Sequence, residues 1–247
     1  QFYFPEEQVE LLFNKVIVLE GDISFPDFKL TKDEYKKLTT EVDTIINAAA
    51  NVNHVAQKEN LTSVNVDGIK NLITLCILGR AKTLHHVSTV GVKGLYIEKN
   101  IIFDETMLHV DQIHTEEYSE SKYEAELLIH QYMQQGGQAN IYRVGTIGPH
   151  SQTGFFQKNI EQHFFSRYIH STIQLGLAGC WHDKVLDITP VDSLATSIVL
   201  LLFNSQYINK TFHLVSPDTI SYYELVKFLQ NCGYSIRMID NQEFKNK

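Results

Sequence analysis

The sequence predicts an α/β fold built on a doubly wound parallel sheet, and three features of the pattern indicate it. Short apolar or β-branched runs alternate with amphipathic segments of helical length along the chain. The apolar runs end in small or polar residues, and no internal repeat breaks the alternation. Because ligands of such sheets bind outside the carboxyl ends of the strands, the functional residues are expected where the strands end.

The predicted elements follow one another regularly from the first apolar run onward. Residues 15–19 contain the run VIVL and are predicted to form a buried strand that ends at Gly21 and Asp22. The later predicted strands cover residues 44–50, 84–87, 139–144, 185–191 and 211–215, and the predicted helices cover residues 64–78, 119–134 and 193–203. Strands separated by helices of about 10 to 15 residues favour parallel pairing.

Composition and charge exclude several classes of protein. The chain has 247 residues, of which 43% are apolar, and its formal net charge is −8. This composition is typical of one globular unit, and the negative charge argues against nucleic acid or an anionic membrane as a partner.

Three widely spaced cysteines favour a reduced, cytoplasmic setting, and no apolar run reaches the roughly 20 residues of a membrane span. Residues 1–8 lack a signal-peptide pattern, and the 11 histidines lack metal-binding spacing, so no metal site is predicted.

Tyr118 and Lys122 form the most informative pair in the sequence. They are four residues apart at the start of a predicted helix, so they project from one face. A tyrosine has an ordinary pKa of about 10, and a neighbouring ammonium group is expected to lower that pKa. Thr89 follows a predicted strand and presents a hydroxyl upstream of this pair. A second pair with the same spacing, Tyr223 and Lys227, has no such strand end before it and is interpreted as a solvated helix face.

These residues lie within a longer pattern of motifs. The stretches VSTVGVKG, YSESKYEAE and IYRVGTIGP occur in this order and together resemble extended short-chain dehydrogenase/reductases. Four further stretches, INAAANVNHV, SVNVDGIKNLI, TGFFQKNIEQHFFSR and LDITPVDSLATSIV, are similar to the thioester reductase branch of that superfamily. This branch comprises the terminal reductase domains of nonribosomal peptide synthetases, carboxylic acid reductases and aminoadipate reductases. The resemblance covers nearly all of the chain and implies a Rossmann-like sheet.

The resemblance also implies an activity. It implies an NADPH-dependent reductase that releases an acyl or peptidyl thioester from a phosphopantetheinyl carrier protein as an aldehyde, or further as an alcohol. Thr89 is implied to hydrogen-bond the substrate carbonyl, Tyr118 to donate a proton, and Lys122 to hold the nicotinamide ribose and tune Tyr118. The carrier protein is expected in the same polypeptide, and the domain is expected to be monomeric.

Cofactor contacts follow from the same motif matches. Asp22 is implied to accept a hydrogen bond from the adenine amine, and Ile23 to cover the adenine ring. The other implied cofactor contacts are Asn47, Ala48, Ala49, Asn65, Lys122, Gly145 and Thr146. Many relatives have asparagine where this chain has Thr146. NADPH is expected in preference to NADH.

The chain departs from the family pattern at its start. The family's Gly-rich loop holds the pyrophosphate at a helix N-terminus, and no glycine precedes Gly21 here. Either the sequence is part of a longer domain, or it is a degenerate member without cofactor, and the intact set of Thr89, Tyr118 and Lys122 favours the first interpretation. Residues 1–150 are accordingly predicted as a dinucleotide-binding domain lacking its N-terminal Gly-loop unit, and residues 151–247 as a smaller portion, interleaved with the sheet, that binds substrate and carrier.

Two other functions remain open at this point. The chain is also compatible with another extended short-chain reductase, such as a fatty acyl-CoA reductase, or a sugar-nucleotide epimerase or dehydratase. The third interpretation is a catalytically inert nucleotide-binding scaffold. The stretch TGFFQKNI argues against sugar nucleotides and only weakly against acyl-CoA.

Overall fold

The predicted alternation of strands and helices is present in a computed structural model, which describes residues 12–13, 15–53, 56–95, 102–182 and 184–245. The start of the chain, on which the signal-peptide interpretation depends, and residues 54–55 of the motif INAAANVNHV lie outside the described residues. The chain divides into two units. Unit 1 comprises Gln1–Val144 and Ser197–Leu214, and unit 2 comprises Gly145–Thr196 and Val215–Lys247.

The strands, in chain order, are β1 (Thr44–Asn47), β2 (Thr83–Thr89), β3 (Gln138–Val144), β4 (Thr146–Gly148), β5 (Leu177–Gly179), β6 (Val185–Pro190), β7 (Thr211–Leu214), β8 (Thr219–Ser221) and β9 (Arg237–Ile239). The α-helices are α1 (Lys32–Glu41), α2 (Lys58–Leu61), α3 (Gly68–Ile77), α4 (Glu117–Gln134), α5 (Phe164–Leu175), α6 (Val191–Leu202), α7 (Tyr222–Asn231) and α8 (Asn241–Lys245). A π-helical turn, Thr62–Asp67, joins α2 to α3.

Unit 1 contains a four-stranded sheet in the order β1-β2-β3-β7, and every neighbouring pair is parallel. Asn47 of β1 is paired with His86 of β2, and Thr89 at the end of β2 is paired with Val144 at the end of β3. The carboxyl ends of these strands therefore lie at one edge of the sheet. The α/β fold with a parallel sheet predicted from the alternation is confirmed.

The core of unit 1 lies between this sheet and helices α3 and α4. The buried face of α3 contains Ile69, Leu72 and Leu75, as its amphipathic spacing predicts. Leu84 of β2 and Ile141 of β3 are fully buried in the same cluster. Each large aliphatic side chain of this kind contributes roughly 1.5 to 3 kcal/mol when it is removed from water, so this cluster holds α3 and α4 against the sheet.

The prediction of a buried strand at residues 15–19 is wrong. Val16, Ile17 and Val18 are exposed, and this segment belongs to no strand of the described part of the chain. A strand needs a neighbour that takes up its backbone N–H and C=O groups, and a β-branched run supplies only the side-chain preference.

Unit 2 contains two small sheets. In one, β4 pairs in parallel with β6, and β6 pairs antiparallel with β8; in the other, β5 pairs in parallel with β9. Its core cluster contains Ala178, Val226, Leu229 and Ile236. The chain passes between the units at three points, and one of them, between Thr196 and Ser197, falls within α6. The assignment of substrate and carrier binding to residues 151–247 stays a prediction.

Candidate active site

The carboxyl end of β2 presents the hydroxyl of Thr89. Its Oγ1 accepts a hydrogen bond of 3.1 Å from the backbone N–H of Gly91, which caps the short helical turn Val90–Lys93. A hydroxyl has one donor hydrogen and two acceptor lone pairs, so this contact leaves the hydrogen to be donated. A Cβ at Gly91 would lie 3.2 Å from Ser119 Oγ and 3.3 Å from Thr89 Oγ1, so the glycine lets the first turn of α4 approach the end of β2.

Tyr118 lies in the first turn of α4, one turn before Lys122 on the same face. The expected lowering of the Tyr118 pKa is wrong: burial raises the pKa of Tyr118 to about 12, because a phenolate would lose its hydration. The phenol therefore stays protonated near neutral pH, which is the form that can donate a proton.

Lys122 points into the interior of unit 1. Its side chain is only 2% exposed, and its Nζ lies 2.8 Å from the carbonyl oxygen of Val87 and 3.0 Å from Nε2 of His86. Burial lowers the pKa of Lys122 to about 8, and the carboxylate of Glu126 acts in the opposite direction. The amino group of Lys122 is thus held against β2 by uncharged partners.

Asn65 connects the loop after β1 to the first turn of α4. Its Oδ1 accepts from Asn51 N (2.8 Å), and its Nδ2 donates to Asn51 O (3.1 Å) and to Ser121 Oγ (2.9 Å). Ser121 Oγ in turn donates to the carbonyl oxygen of Tyr118 (2.7 Å). Asn65 lies in the π-helical turn, a feature often found at functional sites. These contacts orient the segment that carries Tyr118.

The carboxyl end of β1 combines a buried amide with small exposed residues. Asn47 is buried, and its Oδ1 accepts from Ala49 N (3.1 Å) while its Nδ2 lies 3.1 Å from Nδ1 of His86. Ala48 and Ala49 are exposed and follow the strand directly. Small residues at the end of a parallel strand allow a ligand to approach the backbone closely, so this edge of the sheet fits the cofactor contact predicted for it.

Asp22 and Ile23 lie in a turn beside α3. The Asp22 carboxylate accepts from Ser24 Oγ (2.6 Å), Ser24 N (3.0 Å) and Lys29 Nζ (3.0 Å), and these donors, the Ser24 hydroxyl foremost, lower the pKa of Asp22 to about 2. A Cβ at Gly68 would lie 2.9 Å from Cδ1 of Ile23, so the glycine makes room for this side chain against α3. Contact of Asp22 and Ile23 with adenine stays a prediction.

Gly145 and Thr146 belong to unit 2. A Cβ at Gly145 would collide with the carboxylate of Asp187, so a larger residue there would have to displace this side chain. Thr146 begins β4 and is paired with Ile188 of β6. Their predicted place at the nicotinamide edge stays a prediction.

A buried ion pair joins β3 to α4, and the sequence pattern predicted no role for it. The guanidinium of Arg143 contacts the carboxylate of Glu126 through Nε (3.1 and 3.2 Å) and NH2 (2.8 Å), and both side chains are fully buried. Ser88 Oγ donates to the same carboxylate (2.5 Å). Arg143 also donates to the carbonyl oxygens of Asp104 and Met107. Two features of the sequence could have indicated this pair. Arg143 interrupts the apolar run of β3, and Glu126 lies one helical turn beyond Lys122.

Two features are absent from the part of the chain that the structure describes. Within it, no group of three or more His, Cys, Asp or Glu side chains is placed to hold a metal ion. None of its described helices is both long enough and apolar enough to cross a membrane.

Comparison with curated proteins supports the resemblance seen in the motifs. The chain is 29% identical over 235 residues to a linear gramicidin synthase of Brevibacillus parabrevis, a match that covers 94% of this chain and 4% of that protein. It is 29% identical over 244 residues to a carboxylic acid reductase of Segniliparus rugosus, a match that covers 91% of this chain and 20% of that protein. The chain thus spans a small part of the curated relatives that it matches.

Solved structures give the same result. The terminal R domain of the myxalamid PKS-NRPS pathway has a TM-score of 0.85 at 30% identity, over 95% of this chain and 59% of that one. A thiolation-reductase di-domain of an archaeal nonribosomal peptide synthetase has a TM-score of 0.85 at 29% identity, over 99% of this chain and 52% of that one. The resemblance to terminal reductase domains is confirmed. The model of the NAD-binding family described as male sterility protein matches residues 2–198, and the chain belongs to that family.

Proposed function

We propose that this chain is part of an NADPH-dependent reductase that releases a carrier-bound acyl or peptidyl thioester as an aldehyde. One observation carries the proposal. The hydroxyl of Thr89 at the end of β2 and the Tyr118–Lys122 face of α4 lie on elements that pack together, with Lys122 bonded to the backbone of β2 at Val87. The terminal reductase domains and the carboxylic acid reductase among the similar proteins support it.

Residues at the carboxyl edge of the unit 1 sheet fit a dinucleotide. The exposed Ala48 and Ala49 leave the backbone open at the end of β1, and Lys122 retains an N–H beyond its contacts with Val87 and His86. Asp22 and Ile23 would hold the adenine, and Asn47 and Asn65 order the segments around this edge. A bound NADPH would supply a hydride to the carbonyl carbon of the thioester.

Thr89 and Tyr118 would act on the carbonyl oxygen of the substrate. The Thr89 hydroxyl donates a hydrogen bond to this oxygen, and its charge grows as the carbon is reduced. Tyr118 is protonated at neutral pH because its pKa is about 12, so it can donate its proton to the same oxygen. Donors aimed at a developing charge stabilise the transition state more than the bound thioester.

The overall reaction balances as thioester, NADPH and a proton giving aldehyde, free thiol and NADP⁺. The first product of reduction is a thiohemiacetal, which collapses as its C–S bond breaks, and the thiol leaves with a proton. A second reduction of the aldehyde would give an alcohol. We propose a phosphopantetheinyl carrier protein in the same polypeptide as the donor of the thioester, as the thiolation-reductase di-domain suggests. This chain has a net charge of −8, so its overall charge would not attract an acidic carrier protein. The patch on this chain that binds the carrier protein must therefore be local.

The test follows NADPH absorbance with the full-length protein and one acyl thioester, presented either on a carrier protein or on coenzyme A. Turnover of only the carrier-bound thioester supports the proposal, and preference for the coenzyme A thioester favours a fatty acyl-CoA reductase. Absence of oxidation with either substrate contradicts both and leaves an inert nucleotide-binding scaffold.

Tyr118→Phe is expected to lower the chemical rate by about 10²-fold or more, because the variant has no proton to donate. Tyr223→Phe is the matched control. Tyr223 belongs to a second tyrosine–lysine pair, and the ammonium of Lys227 lies 5.8 Å from its ring centroid. This control is expected to keep nearly the full rate, and an equal loss in both variants would contradict the role of Tyr118.

A further inference from the structure

Asn47, His86 and Lys122 form a buried hydrogen-bond chain that begins at the backbone of Ala49. The four links in order are Ala49 N to Asn47 Oδ1 (3.1 Å), Asn47 Nδ2 to His86 Nδ1 (3.1 Å), His86 Nε2 to Lys122 Nζ (3.0 Å) and Lys122 Nζ to Val87 O (2.8 Å). All three side chains are at most 5% exposed. The chain crosses from the end of β1 through β2 to α4.

Donor and acceptor rules fix the direction of this chain from its first link. The backbone N–H of Ala49 can only donate, so Asn47 presents its oxygen to Ala49 and its NH₂ group to His86. Nδ1 of His86 must then accept, so the proton of the neutral ring is on Nε2. That N–H points at Nζ of Lys122, which must accept through a lone pair. Only a neutral amine has such a lone pair.

We propose that His86 is a positioning residue for Lys122, and that charging of Lys122 reverses the whole chain and releases the backbone N–H of Ala49. This inference deepens the proposed function, because it concerns the residue that would hold the nicotinamide ribose and the strand end that would meet the cofactor.

The reversal balances as the uptake of one proton. The Nε2 proton of His86 moves to Lys122, which becomes an ammonium group, and Nδ1 gains a proton from solvent. Nε2 then accepts from Lys122, while Nδ1–H needs an acceptor. Asn47 supplies it when its side-chain amide turns by 180°, which points its NH₂ group at Ala49. Since two donors cannot bond, the Ala49 N–H is freed at the exposed end of β1.

The charged surroundings of Lys122 permit both states. Glu126, one turn further along α4, is neutralised by Arg143 of β3, and Tyr118, one turn earlier, stays a neutral phenol. On β2, burial and the neighbouring Lys122 hold the pKa of His86 well below its usual range, so the ring changes tautomer without becoming a cation. A Lys122 pKa of about 8 places the change within an accessible pH range.

Reversal would make two changes at the candidate cofactor edge together. It would charge Lys122 and free a backbone donor at Ala49, and an anionic dinucleotide favours both changes. A ligand that binds this edge is therefore expected to draw one proton onto the protein.

The experiment measures the tautomer of His86 by NMR in the full-length protein labelled with ¹⁵N-histidine, without ligand, from pH 6.5 to 9.5. The ring signals are assigned through the backbone of His86 and checked by their loss in His86→Gln. We expect Nε2–H at the upper end and Nδ1–H at the lower end, with the ratio changing about tenfold per pH unit around the midpoint. The protection factor of the Ala49 amide is expected to fall on the Nδ1–H side.

Three controls accompany this measurement. His85 is equally buried on the opposite face of β2, with its Nδ1 2.7 Å from the hydroxyl of Tyr142, and its tautomer is expected to stay constant. Lys122→Met removes the titrating group, so the tautomer of His86 should not change with pH. Asn47→Asp offers acceptors only and should hold His86 as Nδ1–H throughout.

An Nδ1–H tautomer at pH 9.5, or the same tautomer at both ends of the range, would overturn the proposal. The measurement needs neither NADPH nor a thioester. A protein that passes it and fails to oxidise NADPH contradicts the proposed function alone, and a protein that reduces thioesters with a constant His86 tautomer contradicts this inference alone.

Discussion

Unit 1 buries two basic side chains, Arg143 and Lys122, and they differ in the charge of their partners. Arg143 on β3 meets the carboxylate of Glu126 at 2.8 Å and also donates to two backbone carbonyls. Lys122 on α4, one turn before Glu126, has a carbonyl oxygen and a neutral imidazole as its partners. Arg143 therefore has a counter-charge in direct contact, whereas Lys122 has none among its hydrogen-bond partners.

The difference separates a structural charge from a titratable one. A guanidinium keeps its proton at any ordinary pH, so Arg143 requires a permanent counter-charge in the interior. An amine can respond to burial by losing its proton, and the pKa of Lys122 falls to about 8. The region around Arg143 is thus suited to holding β2, β3 and α4 together, and the region around Lys122 to changing its state.

Breaking the ion pair between Arg143 and Glu126 should have the largest effect on stability. Glu126→Gln leaves the buried Arg143 without its counter-charge, and we expect the free energy of unfolding to fall by about 3 to 5 kcal/mol. Denaturant unfolding measures this loss. Glu124→Gln, at a partly exposed position on the same helix, is the control and should change stability by less than about 0.5 kcal/mol. A Glu126→Gln protein within about 1 kcal/mol of the parent would show that the pair is not what holds this region.

Removing both charges should recover most of that loss. Glu126→Leu with Arg143→Met removes both charges of the pair together, and such replacements are often neutral or stabilising. We expect the double variant to lie within about 1 to 2 kcal/mol of the parent in the same denaturant assay, the remainder coming from the unpaired Ser88 hydroxyl. A double variant as unstable as Glu126→Gln would mean that shape rather than charge is critical here.

The burial of Lys122 without a counter-charge should be visible in the pH dependence of stability. The pKa of Lys122 is about 8 in the folded protein and 10.5 ordinarily, so between these values the unfolded chain binds more protons. The contribution of Lys122 to the free energy of unfolding should therefore rise from pH 8 to pH 10, on the order of 1 to 3 kcal/mol, and the difference in stability between the parent and Lys122→Met measures this rise. A difference between the two proteins that stays constant over this range would mean that burial does not lower the pKa of Lys122.

An exposed ion pair provides the smallest effect. The pKa of Asp22 is about 2, below its ordinary 3.8, because Ser24 and Lys29 donate to its carboxylate. The stabilisation is complete above the ordinary pKa and is lost as the pH falls toward 2. Asp22→Asn should lower Tm by no more than a few degrees at pH 7, since exposed pairs contribute little, and this loss should vanish as the pH falls through 2. A large decrease in Tm at pH 7 would show that Asp22 is as important for stability as Glu126.

The parallel sheet was predictable because its signals are local. Alternating runs and small residues at strand ends place β1, β2 and β3, and the helical spacing places Tyr118 and Lys122 on one face. The spacing did not predict the pKa of Tyr118, since burial outweighs a lysine whose Nζ bonds to Val87 and His86.

Contacts between elements were beyond the sequence pattern. Arg143 and Glu126 are 17 residues apart on different elements, and only the packing of α4 on the sheet joins them. The run at residues 15–19 shows the converse, because its side chains favour a strand that no described neighbour completes.

The π-helical turn Thr62–Asp67 has a consequence for insertions and deletions. Each of its hydrogen-bonded rings closes over one residue more than in an α-helix, so the helix before it and α3 are out of phase by one position. Deleting one residue from this turn would restore a continuous α-helix and keep the buried face of α3, yet it would rotate Asn65 away from Asn51 and Ser121. The number of residues in this turn is therefore constrained independently of which residues they are. In a screen of single-residue deletions, the protein should tolerate a deletion here less well than one in the exposed loop after α3.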